Sequence, residues 1–385
     1  MVQSTPSMTT VAISSMIWEY HGDAGAPTAG GYFYTAHEND RPYPLYVGGG
    51  GGGLYRRPPL ALNGQAIVHS LTENNKKRVW ASRMVRDDEL YIVQLQGIPG
   101  ISLPTTLVVK KCLNVNLALQ VDDNVKYRYN SEMFLLASNS RDNIIKVVDL
   151  IQREDAIMLV YEYPVNVSLQ SWLHQPMDDV RPLSWPQRRV IAIGMAKGLC
   201  HMHYRCKRPI IHHNINSNNI LLDQNFKPVI ASFDAAQMNM AGLDQPLPIV
   251  GLPLGNFGYA APEYGVAASE LTEKVDTYSF GVLMLELVTG RMANEAGADG
   301  HLATWERNNF TKLMANQHEM FQSAVDRDIP DQARYMEEMA IVFMLGVDCT
   351  VGNPQQRPSM RMALKRLRCS FVRGPFCGLL ACYLL

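Results

Sequence analysis

Charge is scarce in this 385-residue chain, cysteines are unpaired in pattern, and no apolar run is long enough to cross a membrane. Charged residues make up 18% of the sequence, below the usual level of about 25%. Lys and Arg number 35 against 36 Asp and Glu, a net charge of −1. Bulk charge therefore gives no drive toward nucleic acid or an anionic membrane. The seven cysteines are Cys112, Cys200, Cys206, Cys349, Cys369, Cys377 and Cys382. An odd number without any C-x-x-C spacing indicates neither a disulfide framework nor a structural zinc module, and reduced thiols in the cytoplasm are expected. The longest internal uncharged stretch, 245–262, carries Pro246, Pro248, Pro253 and Pro262, which suits a loop. The apolar end, 374–385, falls short of the roughly twenty residues a spanning helix needs. The first twenty residues lack the basic segment of a secretory signal, and Val2 stands where myristoylation needs glycine.

What is present changes character along the chain. Residues 1–70 include a run of six glycines, Gly48 to Gly53, followed by Arg56-Arg57-Pro58-Pro59. Such composition predicts a disordered arm rather than a phosphate-binding loop, since no Lys-Ser/Thr follows the glycines. From Leu71 the texture is globular. Strands are predicted over 89–95, 106–110, 144–148 and 158–163, with a helical stretch around 131–137. After His174 long helices take over: apolar residues recur at three-and-four spacing over 185–203, 277–289 and 336–349. A β-rich part followed by an α-rich part predicts an α+β protein of two packed lobes.

The stretch Ile210-Ile211-His212-His213-Asn214-Ile215-Asn216-Ser217-Asn218-Asn219 resembles the catalytic loop of a protein kinase, and matches continue in order on both sides. Lys110 sits in Val108-Val109-Lys110 like the third-strand lysine, and Glu132 falls where its helix partner belongs. Tyr161-Glu162-Tyr163 looks like the hinge between lobes, Ala261-Pro262-Glu263 like the end of the activation segment, and Asp276 like the start of the buried large-lobe helix. Arg357 is similar to the buried partner of Glu263. Phrases such as Leu159-Val160-Tyr161-Glu162-Tyr163 and Gly290-Arg291-Met292-Ala293-Asn294 resemble plant receptor-like kinases of the leucine-rich-repeat branch. The resemblance implies a small β-rich N-lobe over 71–163, a larger α-helical C-lobe over 164–370 and an apolar tail over 371–385.

Departures cluster where the chemistry is. The family's catalytic loop reads H-R-D-x-K-x-x-N. Here the aspartate that accepts the substrate proton is Asn214, the lysine that steadies the moving phosphoryl group is Asn216, and the phosphate-gripping arginine is His213. Ser232 replaces the principal metal carboxylate in Ser232-Phe233-Asp234; Asp234, two positions on, is too displaced for magnesium's strict octahedron. Between Thr72 and Lys110 no glycine-rich loop occurs, and Trp80 and Met84 stand where backbone N–H groups would approach phosphate. No Ser, Thr or Tyr lies between Phe233 and Gly258, so no phosphate switch can be installed there.

The resemblance then implies a degenerate kinase fold: a protein-binding signalling module whose partners are other kinases or receptor-like kinases, cytoplasmic, and brought to the inner face of the plasma membrane by those partners. His212 is expected to pack under Phe233 rather than act as a base. Val108 and Leu221 would sandwich adenine, Glu162 and Tyr163 would offer it hinge backbone, Lys110 and Glu132 would form an ion pair, and Asn219 would either hold metal or cap its own loop. ATP binding is expected weak or lost, and Mg²⁺ binding lost. The competing readings are a weakly active Ser/Thr kinase with unconventional residues and a decayed copy of a receptor kinase.

Overall fold

A computed structural model describes residues 77–78, 88–95, 105–112, 123–152, 157–163, 168–174, 182–247, 257–265, 271–294, 301–304 and 319–372. The chain divides into two units, Met1–Ala61 and Leu62–Leu385, and every described residue lies in the second. The arm over 1–70, most of the segment around Trp80 and Met84, and the stretch 373–385 lie outside the described residues.

The N-terminal part of this unit is a five-stranded antiparallel sheet in the order β1-β2-β3-β5-β4, from β1 (Lys77–Arg78), β2 (Asp88–Leu95), β3 (Thr105–Cys112), β4 (Val147–Gln152) and β5 (Ile157–Glu162). Strand period two puts Val108 and Lys110 on one face of β3, opposite Tyr161 and Leu159 of β5. Helix α1 (Asp123–Ser138) packs on this sheet with Glu132, Leu135 and Leu136 on one buried face, the i, i+3, i+4 pattern. It begins two turns before the predicted stretch, because Asp123 to Asn130 has no apolar periodicity to reveal a helix. The strand expected over 144–148 is corrected: β4 starts at Val147. Ile144 instead bridges to Ile230, and Ile145 N–H donates to the Ile230 carbonyl at 2.9 Å, so a tertiary contact takes the backbone that a strand would use.

The larger part is helical. Short α2 (Leu169–His174) is followed by α3 (Trp185–Tyr204), which Ser184 opens by donating its backbone N–H to Gln187 Oε1 at 2.8 Å, with Pro186 in the first turn. Every residue of α4 (Lys274–Thr289) is buried, and Gly290 ends it in the left-handed region at φ 67°. Around it lie α5 (Glu319–Ala324), α6 (Gln332–Cys349) and α7 (Met360–Val372). Helix α6 comes so close to α4 that a Cβ on Gly281 would sit 2.9 Å from the Gly346 carbonyl oxygen. Between the helices run two small hairpin-like sheets: β6 (Ile210–Ile211) pairs with β9 (Gln237–Met238), and β7 (Ile220–Leu222) with β8 (Pro228–Ile230). The loop carrying Asn214 joins β6 to β7, and Ser232 follows β8, so this pair of sheets positions the candidate site.

Candidate functional site

Two constellations converge where sheet meets helices. In the first, Lys110 Nζ lies 2.9 Å from Glu132 Oε2, and the Tyr161 hydroxyl donates to Glu132 Oε1 at 2.8 Å. Glu132 is 3% exposed, so each carboxylate oxygen is satisfied in a setting where an unmet charge would be costly. The tyrosine contact was not anticipated from sequence, where Tyr161 read only as hinge; cross-strand register opposite Val108 is what aims it inward. Val108 and Leu221 are both buried. The Glu162 N–H donates to the Lys146 carbonyl at 3.0 Å.

The second constellation is the β6–β7 loop. Asp276, at the start of α4, accepts the backbone N–H groups of His212 at 2.8 Å and His213 at 2.9 Å, and its Oδ2 lies 3.0 Å from His203 Nε2. Burial alone would raise its carboxyl, but the hydrogen bond from His203 outweighs that and holds it below the ordinary value. These contacts stabilise the left-handed backbone of His213, φ 63°.

His212 is fully buried, with its ring edge-on to Phe233 at 4.6 Å between centroids. Its Nδ1 accepts the Asn214 N–H at 3.2 Å, which leaves Nε2 to carry the proton toward the Ala231 carbonyl at 3.1 Å. Burial pushes this imidazole down to about 4, so it is neutral at physiological pH with both nitrogens occupied. No lone pair is left for a substrate proton. His213 Nδ1 meets the Tyr264 hydroxyl at 2.8 Å, and burial lowers its pKa as well, so the position holds no fixed cation for a phosphate.

The asparagines of the loop bind one another. Asn216 Nδ2 donates to Asn214 Oδ1 at 2.9 Å, and Asn219 Nδ2 donates to the Asn214 carbonyl at 2.9 Å. Asn216 Oδ1 accepts the N–H groups of Asn218 at 3.0 Å and Asn219 at 3.1 Å. A lysine could not take that place, having donors only. Neighbouring Ser217 continues the polar chain: its hydroxyl lies 2.8 Å from Tyr259 Oη, which donates to Glu286 Oε2 at 2.7 Å, while Glu286 Oε1 is 3.0 Å from His174 Nε2. None of that network was visible in sequence, since its members are distant in the chain.

Ser232 sits in the left-handed region, φ 65° and ψ 67°, at the head of the 3-10 turn Phe233–Ala235, which packs on α1. This links the constellations. Magnesium is poorly served by the donor set here: Ser232 offers a neutral hydroxyl in place of the family's carboxylate, and Asn219, whose amide nitrogen donates to the Asn214 carbonyl at 2.9 Å, adds only a neutral amide oxygen. Among the described residues no group of three or more His, Cys, Asp or Glu could hold a metal.

Glu263 and Arg357 form a bidentate pair, Nη1 to Oε1 at 2.6 Å and Nη2 to Oε2 at 2.7 Å. Arg357 is 2% exposed and also donates to the carbonyls of Lys274, Val351 and Gly352. This pair ties the end of the activation segment to the α6–α7 connection.

Such an arrangement, a sheet lysine paired with a helix glutamate above a loop anchored by a buried aspartate, invites comparison with known families. The protein kinase domain family matches residues 104–367. The chain belongs to the protein kinase family. Among curated relatives, MDIS1-interacting receptor like kinase 1 of Arabidopsis thaliana is 34% identical over 266 residues, covering 68% of this chain and 25% of that protein. Leucine-rich repeat receptor protein kinase MSP1 of Oryza sativa subsp. japonica is 35% identical over 251 residues, 64% of this chain and 18% of its own length. Receptor-like protein kinase 7 of Arabidopsis thaliana is 37% identical over 242 residues, with 62% and 24% covered. This kinase-fold chain thus resembles plant leucine-rich-repeat receptor-like kinases and spans about a quarter or less of their length. Among its described residues no helix is long and apolar enough to cross a membrane.

Proposed function

We propose that this protein kinase family member does not transfer phosphate and instead works as a protein-binding module, with other receptor-like kinases as its partners. The observation that carries the reading is the Asn214–Asn216 contact at 2.9 Å: two neutral amides satisfy each other where phosphoryl transfer needs a carboxylate base and an ammonium. The absence of a metal carboxylate at Ser232 supports it independently. Base, steadying cation and metal act as one unit, so their losses remove transition-state stabilisation together. Meanwhile the parts that hold the fold, Asp276, Glu263 and Arg357, are fully bonded. An intact scaffold without the reacting groups is what a binding module requires. One relative, MDIS1-interacting receptor like kinase 1, is named for a protein it interacts with; an interaction of that kind is the activity proposed here. The place of action is the cytoplasm, at the inner face of the plasma membrane when partners hold it there.

Radiolabelled phosphate transfer by the purified chain tests this. The expected result is no incorporation into itself or generic substrates above a Lys110→Ala control. Transfer that survives further purification and disappears in Lys110→Ala would establish the second reading, a weakly active kinase with unconventional residues. The closed Lys110–Glu132 pair, at 2.9 Å, is the observation in favour of that alternative.

A further inference from the structure

The stretch that follows β9 folds back on itself and is tied down along its length. The Asn239 N–H donates to the Pro209 carbonyl at 2.7 Å. Its side chain closes the turn, accepting the N–H groups of Ala241 at 3.0 Å and Gly242 at 3.3 Å and donating to the Gln245 carbonyl at 2.7 Å. At the far end Leu247 and Leu271 exchange backbone bonds, at 2.8 Å and 3.4 Å. Between these ties the chain meets an acid. The Asp244 N–H donates to Glu273 Oε2 at 3.3 Å, from a left-handed backbone at φ 56° that aspartate tolerates.

Glu273 stands immediately before α4, and its surroundings are unusual for a carboxylate. It is 1% exposed, and its Oε1 meets no amide, amine or hydroxyl donor. Neither Glu273 nor Asp244 joins an ion pair among the described residues. The Asp244 carboxyl instead hydrogen-bonds the Glu273 carboxyl. Ionised carboxylates only accept, so that contact needs a proton between the two groups. Without it, two like charges would face each other with one of them out of water.

Few other charges face the pair. From α3 come His203, whose Nε2 is taken by Asp276, and Tyr204, whose hydroxyl burial pushes up to about 12. Beyond Tyr204 stand Ser359, hydrogen-bonded to it, and Arg361, whose guanidinium lies 4.2 Å from its ring centre. The Lys274 ammonium, next in sequence, turns to the Arg357 carbonyl at 2.7 Å. Burial first, and then the Asp244 contact, raise the Glu273 carboxyl above its ordinary 4.5, against a pull from His203 and the backbone.

We infer that Glu273 and Asp244 share one proton, and that this proton latches the stretch 239–247 to the head of α4. Its release to solvent leaves two repelling carboxylates, and Asp244, which is exposed, is the one able to move away. An acid held above its ordinary value when the latch is closed favours closure fully below 4.5 and loses that contribution as pH rises through the raised value. Over that window closure weakens by about tenfold per pH unit. The stretch thus presents a tied surface or a loosened one according to pH, whether or not the chain transfers phosphate.

Hydrogen exchange of the full chain, read by mass spectrometry as protection of the 239–247 amides and corrected for the intrinsic effect of pH, tests the latch between about pH 4.5 and pH 8. Protection in the parent should fall with rising pH, by up to about tenfold per unit, and then level off. Protonation of His212 in acid acts on stability in the opposite sense, so global unfolding cannot imitate this change. Glu273→Gln replaces the shared proton with an amide donor and should keep its protection at pH 8. Asp244→Asn, altered only at an exposed residue, removes the like charge and should show a shallower profile than the parent; it carries the test if Glu273→Gln does not fold. Protection that is independent of pH in the parent, a parental profile in either variant, or parental protection restored at pH 8 by Ca²⁺, which would put a cation between the carboxylates, would each overturn the assignment.

Discussion

Asn216 points its amide nitrogen at the side-chain oxygen of Asn214, 2.9 Å away, while its own oxygen accepts two backbone N–H groups from Asn218 and Asn219. Asn214 is fully buried and Asn216 is 6% exposed, so this is an internal structural contact rather than a surface one. Buried amides left unpaired would cost about 1–3 kcal/mol each, and here their partners are supplied within six residues of chain. The loop keeps its shape through amide-to-amide and amide-to-backbone bonds. Two neutral side chains thus preserve a conformation while removing its charges.

Restoring one charge should not restore chemistry. In Asn214→Asp the new carboxylate would still accept from Asn216 Nδ2, so the loop should fold with a thermal midpoint within a few degrees of the parent. It would meet no steadying lysine at Asn216 and no metal carboxylate at Ser232. Phosphate transfer by this variant should stay at background in a radiolabel assay; robust turnover would mean that the loop assignment is wrong.

The Glu263–Arg357 pair carries a different kind of prediction. Glu263→Ala leaves a guanidinium that is 2% exposed without the only carboxylate paired with it among the described residues, and breaking such buried pairs costs roughly 3–5 kcal/mol. For a domain of this size that corresponds to a fall in thermal midpoint of about 6–15 °C. The remaining bonds from Arg357 to the carbonyls of Lys274, Val351 and Gly352 keep the side chain in place, so the loss is not relieved by its leaving. A midpoint within a degree or two of the parent would show the pair to be energetically idle.

How much of this was legible in sequence depends on range. Helix α3 announced itself through Trp185, Ile191, Met195, Leu199 and Met202, all buried; strands β3 and β5 did so through Leu107 to Val109 and Ile157 to Tyr161. These are local patterns, and local patterns survive in one dimension. The start of β4 was misplaced because Ile144 and Ile145 answer to Ile230, more than eighty residues away. The substitutions at Asn214, Asn216 and Ser232 were visible as letters, but not the direction Asn216 turns. The Tyr161–Glu132 and Tyr259–Glu286 bonds join residues 29 and 27 positions apart, and no spacing rule connects such pairs.

Acid should destabilise the protein through His212. Its imidazole is pushed down to about 4 by burial, whereas in the unfolded chain it titrates near the ordinary 6.5. Between those values the unfolded state binds a proton that the native state refuses, so stability rises with pH across the window and is lost as pH falls from about 6.5 toward 4. The full contribution is on the order of 3 kcal/mol, and below about 4 it no longer changes. Other carboxyls titrate in the same range, so the measurement is a comparison: urea unfolding of the parent and His212→Gln at several pH values. The stability difference between them should shrink toward acid. A constant difference would show that the native imidazole protonates normally.

Nucleotide binding tests the candidate site most directly. Val108 and Leu221 are buried apolar residues, and on the proposed reading they, with the hinge backbone at Glu162 and Tyr163, should still receive an uncharged adenine-like ring. Phosphates fare worse. Among the described residues Lys110 is the one positioned cation of the site, and it already lies 2.9 Å from Glu132, whose other oxygen is held by Tyr161. His213 is neutral through burial, Asn216 has turned onto Asn214, and Ser232 brings no carboxylate to a metal. Adenosine or a hinge-binding inhibitor should therefore stabilise the chain more than ATP does, and Mg²⁺ should add little to ATP. A ligand at about 100 times its Kd adds roughly 2.7 kcal/mol, a midpoint shift of about 5–10 °C in differential scanning fluorimetry. The expected order is hinge inhibitor above adenosine, adenosine above ATP, and ATP equal with or without Mg²⁺. A large ATP shift that appears only with Mg²⁺ would mean that a metal site exists despite Ser232, and would return the chain to the active members of its family.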